Sequence, residues 1–323
     1  MPTDSDDPRD DLLSPDEAFA TLGNETRFAT VRALAEADRP LSFSALRDRV
    51  GMADSGQFNY HLDRLVGRFV ERADEGYRLA PAGERVAEAV LSGAVTERPD
   101  LDGEPIEQRC EYCGGAVELD WKREGVGLYC TSCDGKFGQK EAAVGEPAPE
   151  DTDRGYLGTL PVPPAGVRDR DADGAYRTAW TWGNLEILSL SSDICPRCGA
   201  PVTFTPKVCD DHDAGDGVCT TCGNRHRIRT SVACENCTFD SGGAFAIRLV
   251  GHTAMLDFLT DHGLNPVAPE SPRLVNAVHE DYEEQLLSED PFRARFAFTA
   301  DDERLALTVD DDLTVVAAER EPR

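Results

Sequence analysis

Ten of the eleven cysteines lie in five Cys-x-x-Cys pairs, and this spacing limits what the chain can fold into more than any other feature. Residues 1–11 are acidic and polar, unlike a secretory signal, and no apolar run approaches the ~18 residues that a membrane span needs. We therefore expect a cytoplasmic protein without a membrane partner, in which thiols stay reduced. Paired cysteines in such a protein predict bound metal rather than disulfides.

The first two pairs predict a zinc ribbon over residues 106–140. Sixteen residues separate Cys113 from Cys130, and they contain two strand-like segments, 116–121 and 126–129. A hairpin brings both pairs to one apex, where four thiolates complete a tetrahedral zinc site without an open position. The alternative, two redox-active pairs, is less favoured because neither pair stands at a strand-to-helix junction. The predicted ligands are Cys110, Cys113, Cys130 and Cys133.

Residues 195–237 hold the other seven cysteines. Seven ligands do not divide into four-ligand sites, but His212 stands three residues after Cys209 and completes a set of eight. Eight ligands predict two further zinc ions, for three in the chain, all structural because protein side chains supply every ligand. A zinc hydrolase would need an open position, so no enzymatic activity is expected. The predicted ligands are Cys195, Cys198, Cys209, His212, Cys219, Cys222, Cys234 and Cys237.

Two ways of sharing these ligands remain open. Taken in chain order, the eight form four pairs; sequential sharing joins the first pair to the second, and alternating sharing joins the first to the third. Alternation is favoured because Pro201 and Pro206 leave little room for two ordered strands in the short loop between Cys198 and Cys209. The basic cluster at residues 225–229 has two interpretations: it contacts DNA phosphate or a partner, or it consists of solvated strand residues that offset nearby aspartates.

Residues 54–69 predict a helix with one buried face. Phe58, Leu62, Leu65 and Phe69 recur at helical spacing, and Asp54 begins a capping box. A second short amphipathic helix precedes it at residues 42–50, ending at Gly51, so the two form a helix-turn-helix. Residues 70–73 and 77–79, separated by a tight turn, predict a two-stranded hairpin, or wing.

The opposite face of the 54–69 helix carries side chains that can bond to bases and phosphates. The chain has a formal net charge of −28, as expected for the acidic surface of a halophilic protein, but residues 42–80 hold six basic and six acidic residues. At molar salt the Debye length is about 3 Å, so this neutral local balance matters more than the global charge. The predicted DNA contacts are Ser55, Gln57, Asn59, Tyr60, Arg64, Arg68 and Arg78.

Three motifs carry a resemblance to a known family. They are Leu22-Gly23-Asn24-Glu25-Thr26-Arg27, residues 54–62 and residues 76–83. They resemble haloarchaeal ArsR-like winged helix-turn-helix transcription regulators, which implies sequence-specific binding of double-stranded DNA by the second helix. Metal-sensing members carry cysteines in that helix, whereas this chain has none between Met1 and Arg109, so metal-triggered release there is not expected.

The remaining segments complete a multidomain α+β prediction. Residues 1–14 predict a disordered acidic leader and residues 15–93 the winged helix-turn-helix domain, whose helix at 82–91 could pair two subunits as a homodimer. Residues 141–174 predict a linker, and residues 175–323 a zinc-stabilised α+β domain with an antiparallel sheet. Its predicted elements are helices at 175–191, 252–262 and 273–287, and strands at 245–250, 292–298, 304–309 and 313–318.

Two functions follow from this layout. A transcription regulator would use the winged helix to recognise promoter DNA and the zinc modules to recognise a partner or signal. The alternative is an interaction protein similar to archaeal transcription factor E, in which a winged helix and a zinc ribbon contact RNA polymerase.

Overall fold

A computed structural model describes residues 14–110, 112–122, 125–135, 155–215, 219–268, 278 and 281–322. The chain divides into two units, Met1–Glu97 and Arg98–Arg323, which we call unit 1 and unit 2. Both mix α-helices with antiparallel strands, as predicted. The predicted leader falls almost wholly outside the described residues. Among the helices of the described residues, none combines the length and apolar character needed to cross a bilayer.

From residue 14 onward, where the structure describes it, unit 1 consists of five short helices and one hairpin. Most of its helices begin at a polar N-cap: the side chains of Ser14, Asn24, Ser42 and Asp54 each accept a backbone N–H. The elements are α1 (Pro15–Leu22), α2 (Glu25–Ala35), α3 (Phe43–Val50), α4 (Ser55–Leu65), β1 (Val70–Ala73), β2 (Gly76–Leu79) and α5 (Pro81–Leu91).

The core of unit 1 lies under α4. The predicted apolar stripe is buried, with Phe58, Leu62 and Leu65 fully enclosed against Leu46 of α3 and Leu34 of α2. The predicted helix over 54–69 is too long, since α4 ends at Leu65. The chain turns there because the backbone of Val66 is extended and Gly67 has a φ of 82°.

Unit 2 begins with an antiparallel sheet of four strands. Its strands are β3 (Asp102–Arg109), β4 (Ala116–Lys122), β5 (Gly125–Cys130) and β6 (Tyr156–Pro161), in that spatial order. The hairpin predicted between the first two cysteine pairs is β4–β5. The linker predicted at 141–174 is wrong in its described part, because β6 pairs with β5 and a 20-residue helix, α6 (Ala172–Ser191), begins within it.

Helix α6 joins several parts of unit 2. Ala175 and Ala179 pack on the first sheet, Ile187 and Leu188 on the C-terminal core, and Leu190 on a third, smaller core. The helix predicted at 175–191 is confirmed and begins three residues earlier, where the side chain of Asp171 caps it.

A three-stranded sheet follows, in the order β7–β8–β9. The strands are β7 (Val202–Val208), β8 (Ile228–Cys234) and β9 (Asp240–Ala244). The strand predicted at 245–250 is wrong: Phe245–Leu249 form a 3₁₀ helix that buries Phe245, Ala246 and Leu249. The next helix, α7 (Thr253–Asp261), is capped by His252, close to the prediction.

The chain ends in an antiparallel meander of four strands. They are β10 (Glu283–Glu289), β11 (Phe292–Ala300), β12 (Glu303–Val309) and β13 (Val315–Pro322). The three predicted strands are confirmed, but the helix predicted at 273–287 is wrong where it can be compared, because Glu283 onward is β10. Exposed and partly buried residues alternate along β10, as expected for an edge strand with one covered face. The earlier part of that prediction lies almost entirely outside the described residues.

Candidate nucleic-acid interface and metal centres

The exposed face of α4 is the first candidate site. Ser55, Gln57, Asn59, Tyr60 and Arg64 are all exposed on this helix, opposite its buried stripe. The helix is held at its start by Asp54, whose carboxylate accepts the backbone N–H groups of Gly56 and Gln57 at 2.7 and 2.9 Å. Five of the seven predicted DNA contacts therefore share one solvent-facing surface.

Asp63 lies on the same face and was not among the predicted contacts. The amide nitrogen of Asn59 donates to Asp63 Oδ2 at 2.7 Å, and a guanidinium nitrogen of Arg72, on β1, lies 3.9 Å from Asp63 Oδ1. The guanidinium of Arg64 lies over the ring of Tyr60, with Cζ 5.4 Å from the ring centroid. The spacing of Asn59 and Asp63, one helical turn, was the sequence signal for this pair.

The two remaining predicted contacts lie outside α4. Arg68 is exposed in the turn that follows the helix. Arg78, on β2, forms an ion pair with Glu71 on β1, with Nε 2.5 Å from Oε1. The charge of Arg78 is therefore partly offset within the hairpin itself.

His61 is on α4 but belongs to the core. The residue is only 8% exposed. Burial lowers the pKa of His61 below 6.5, and the nearby positive charge of Arg27 lowers that pKa further. This histidine is therefore a neutral packing residue rather than part of the exposed face.

The second candidate site is the cysteine group at the open end of the β4–β5 hairpin, where Val117 pairs with Cys130, rather than at the predicted apex, where Lys122 pairs with Gly125. Cys110 Sγ lies 3.8 Å from Cys133 Sγ, and Cys113 Sγ lies 3.5 Å from Cys130 Sγ. Sulfur atoms bound tetrahedrally to one zinc ion, at about 2.3 Å each, would lie about 3.8 Å apart, whereas a disulfide requires about 2.05 Å. All four are free cysteines within metal-binding reach of one another, as predicted.

Local backbone geometry shapes this first group. The N–H groups of Ser132 and Cys133 point at Cys130 Sγ, at 3.3 and 3.4 Å. Burial opposes ionisation, but these N–H groups and neighbouring thiols lower the pKa of Cys130 to about 7. Gly155, with a φ of 84°, accepts the N–H of Cys130 and comes so close that a Cβ there would lie 2.2 Å from the Cys130 carbonyl oxygen. The residue just before β6 therefore supports the cysteine group directly.

The third site, which we call the outer site, lies at the open end of the β7–β8 hairpin, where β7 begins and β8 ends. Its four candidate ligands are Cys195, Cys198, Cys234 and Cys237, whose sulfur atoms lie close enough to hold one metal ion. Cys195 Sγ lies 3.7 Å from Cys237 Sγ, and Cys198 Sγ lies 3.5 Å from Cys234 Sγ. Backbone N–H groups of Asn236 and Cys237 lower the pKa of Cys234 to about 6.

An ion pair ties the outer site to α6. Arg197 lies between Cys195 and Cys198 in the chain, and its guanidinium is 2.7 Å from the carboxylate of Glu186. The same guanidinium stacks over Phe239, with Cζ 5.9 Å from the ring centroid. Burial raises the pKa of Glu186, while Arg197 and a hydrogen bond from Trp182 act in the opposite direction. This ion pair therefore connects the outer site to helix α6.

The fourth site, the inner site, lies at the other end of the same hairpin. Its four candidate ligands are Cys209, His212, Cys219 and Cys222. His212 Nδ1 lies 3.6 Å from Cys222 Sγ, which matches the ~3.6 Å expected for a nitrogen and a sulfur on one tetrahedral zinc ion. His212 Nε2 lies 3.0 Å from the carbonyl oxygen of Arg225. Because a carbonyl only accepts, Nε2 carries the proton, and Nδ1 is left with a lone pair that could bind a metal ion.

The favoured alternating pairing is wrong, and so is the sequential one. The observed arrangement is nested: the first pair joins the last, and the middle two pairs join each other. The register decides this, because Val202 pairs with Cys234 and Val208 with Ile228, which places residues 195–198 beside 234–237. Pro206 did not prevent strand formation, since β7 is an edge strand, where proline is tolerated.

The arginines of the basic cluster near the inner site contact other side chains of unit 2. Arg225 lies 3.6 Å from Asp281, and Arg227 lies 3.4 Å from Glu289. Arg229 donates to Asn224 at 2.5 Å. These contacts fit the interpretation that the cluster offsets nearby acidic residues, rather than forming a surface reserved for DNA.

Comparisons with known proteins give families without an assigned activity. Residues 15–90 match DUF7347, described as a domain of unknown function. No curated protein and no solved structure matches the chain. Residues 107–315, well over half of the chain, match DUF7351, also described as a domain of unknown function, and the protein belongs to that family.

Proposed function

We propose that the protein is a DNA-binding transcription regulator and that unit 1 is a winged helix-turn-helix, as its resemblance to ArsR-like regulators implies. The proposal rests on the division of α4, which buries Phe58, Leu62 and Leu65 and exposes Gln57, Asn59, Tyr60 and Arg64. A helix with an apolar inner face and hydrogen-bonding outer face can enter the major groove while it stays anchored in its own domain.

The neighbouring elements support this role. Helix α3 precedes α4 across a turn in which Gly51 adopts a φ of 76°, and β1–β2 follows it as a short hairpin. The hairpin carries Arg72 and Arg78, which would lie near phosphates when α4 is in the groove. Exposed Leu91, at the end of α5, and Val95 fit pairing of two subunits, which would present two reading helices to a symmetric site.

We further propose that the three cysteine groups each hold a structural zinc ion. Cys₄ and Cys₃His sets are typical of zinc, and the sulfur–sulfur and sulfur–nitrogen distances fit a tetrahedron around it. Each group supplies four protein ligands, which leaves no open position for an activated water. Unit 2 is therefore a zinc-stabilised module for recognising a partner or signal, and not a hydrolase.

The direct test is selection of duplex DNA from a random library by the full-length, zinc-loaded protein at molar KCl. We expect the wild type to enrich a short motif, and the double variant Asn59→Ala with Arg64→Ala to enrich none. Arg85→Ala is the matched control, because it removes an exposed cation from α5 and should leave enrichment intact. Absence of any motif, together with co-purification of RNA polymerase, would favour the transcription factor E-like alternative.

A further inference from the structure

The pair formed by Asn59 and Asp63 bears on which base α4 reads. The two residues are one turn apart on α4, and the Asn59 amide nitrogen donates to Asp63 Oδ2 at 2.7 Å. We propose that Asp63 fixes the orientation of the Asn59 amide so that it recognises adenine and rejects guanine. This inference rests on the proposed function, since it specifies the target of the same face.

The orientation of the amide follows from the chemistry of the pair. An ionised carboxylate can only accept hydrogen bonds, so the Asn59 nitrogen must face Asp63 and the amide oxygen must point away. One N–H is used by Asp63. Asn59 therefore presents one carbonyl acceptor beside one remaining N–H donor.

Adenine matches this arrangement. In the major groove it presents the N6 amino donor beside the N7 acceptor, so the Asn59 oxygen can accept from N6 while its free N–H donates to N7. Guanine presents two acceptors, N7 and O6, and the fixed amide oxygen would face one of them. Without the hydrogen bond to Asp63, the Asn59 amide could rotate and direct both N–H groups of its nitrogen towards the two guanine acceptors.

Asp63 is itself held in position from the hairpin. A guanidinium nitrogen of Arg72 lies 3.9 Å from Asp63 Oδ1, and Arg72 also donates to the hydroxyl of Tyr77 at 3.1 Å. The hairpin thus helps to set the amide that α4 presents.

A purely structural role for the pair makes a different prediction. Side-chain pairs one turn apart stabilise a helix only slightly, so loss of Asp63 for that reason would weaken binding to all duplexes alike. It would not change the ratio of affinities for adenine and guanine at one position. That ratio is the measurement that separates the two roles.

The test uses the full-length, zinc-loaded protein and a duplex carrying the selected motif. The wild type is titrated against that duplex and against versions in which each adenine in turn becomes guanine or 7-deazaadenine, which lacks the N7 acceptor. Asp63→Ala and Asn59→Ala are compared with Asp74→Ala, which removes one negative charge from the turn between β1 and β2. Far-ultraviolet circular dichroism checks that each variant is folded.

We expect one adenine for which the wild type discriminates against guanine and against 7-deazaadenine by about ten-fold or more. Asp63→Ala should reduce the adenine-to-guanine ratio to near one, Asn59→Ala should abolish both preferences, and Asp74→Ala should keep the wild-type ratios. An unchanged ratio in Asp63→Ala, or an equal fall in Asp74→Ala, would overturn the role of Asp63 while leaving DNA binding intact. Failure of the selection itself would instead count against the proposed function.

Discussion

Units 1 and 2 reach stability by different routes. Unit 1 surrounds one continuous apolar core, from Val31 to Ala87, with capped helices, and its sequence contains no cysteine. The described residues of unit 2 distribute their apolar side chains among three cores, and three groups of four candidate ligands lie at the ends of its hairpins. Unit 1 thus relies on burial by helices with broad apolar faces, whereas the proposed zinc ions would stabilise the hairpins of unit 2.

The contrast is sharpest at the outer site. Its core contains only Leu190, Cys195, Val202 and Val232 as buried residues, and one of these is itself a ligand. So few apolar side chains cannot offset the entropy lost in ordering two cysteine turns and a hairpin. We infer that the metal supplies most of the stability of this region.

Metal removal should produce the largest difference in stability between the two units. Excess chelator in molar KCl should unfold the ends of the hairpins in unit 2, because each zinc contributes on the order of 10 kcal/mol to the structure around it. Unit 1 should remain folded. Hydrogen exchange followed by mass spectrometry distinguishes the two units in the full-length protein. Loss of protection in α2 and α4 at the same chelator concentration would show that unit 1 also depends on metal.

The nested arrangement can be tested within unit 2. Replacing His212 with Ala should remove one metal ion and disorder only the short loop of the inner site, leaving both Cys₄ sites intact. Cadmium-113 NMR of the substituted protein should then keep two unshifted all-sulfur signals. Replacing Cys234 with Ala should instead disrupt the outer site and loosen the contact of Arg197 with α6.

Asp213→Ala is the matched control for these variants, since Asp213 contributes only a backbone N–H to Cys219 and should retain three metals. A shift of an all-sulfur signal in His212→Ala would contradict the nested arrangement, because it would place His212 in a site shared with the outer cysteines.

The contribution of an ion pair to the unfolding free energy should also differ between the two units, but by less than the effect of metal removal. Glu186→Ala removes a largely buried carboxylate, 13% exposed, from Arg197, which is 46% exposed. The exposure of Arg197 reduces the expected cost to about 1 kcal/mol of unfolding free energy. Denaturant titration followed by tryptophan fluorescence measures it, because all three tryptophans, Trp121, Trp180 and Trp182, are in unit 2.

The matched pair in unit 1 is Arg85 and Glu88, which is exposed on α5. Glu88→Ala should change the stability of unit 1 by less than about 0.5 kcal/mol. Equal effects of the two substitutions would mean that the link between α6 and the outer site contributes no more than a surface ion pair.

The smallest expected effect is the pH dependence of unit 1. Burial, aided by Arg27, lowers the folded pKa of His61 below 6.5, so the unfolded chain binds the proton more tightly. His61 therefore contributes stability that is present above pH 6.5 and is lost as pH falls towards its folded pKa. Denaturation at several pH values, followed by amide NMR signals of α4, should show this loss.

His61→Gln should flatten the curve in that window, since glutamine does not titrate. An unchanged slope in the variant would assign the pH dependence to other groups.

Features set by neighbouring residues could be read from the sequence alone. The buried stripe of α4, its Asp54 cap, and the membership of His212 in a metal site all follow from spacings of three or four residues, which helices and Cys-x-x-Cys turns impose locally. The family resemblance and the function it implies remain predictions, for which the selection experiment is the test.

Other features were decided by contacts between distant residues. The nested ligand sets depend on the register of β7 with β8, β6 on pairing with β5 across residues 131–155, and β10 on the edge of a sheet formed later in the chain. No local pattern specifies these contacts: cysteine spacing is compatible with several pairings, and a strand forms only where a partner strand can satisfy its backbone hydrogen bonds. Local sequence thus selects which side chains can bind metal or DNA, and long-range strand pairing selects which of them meet.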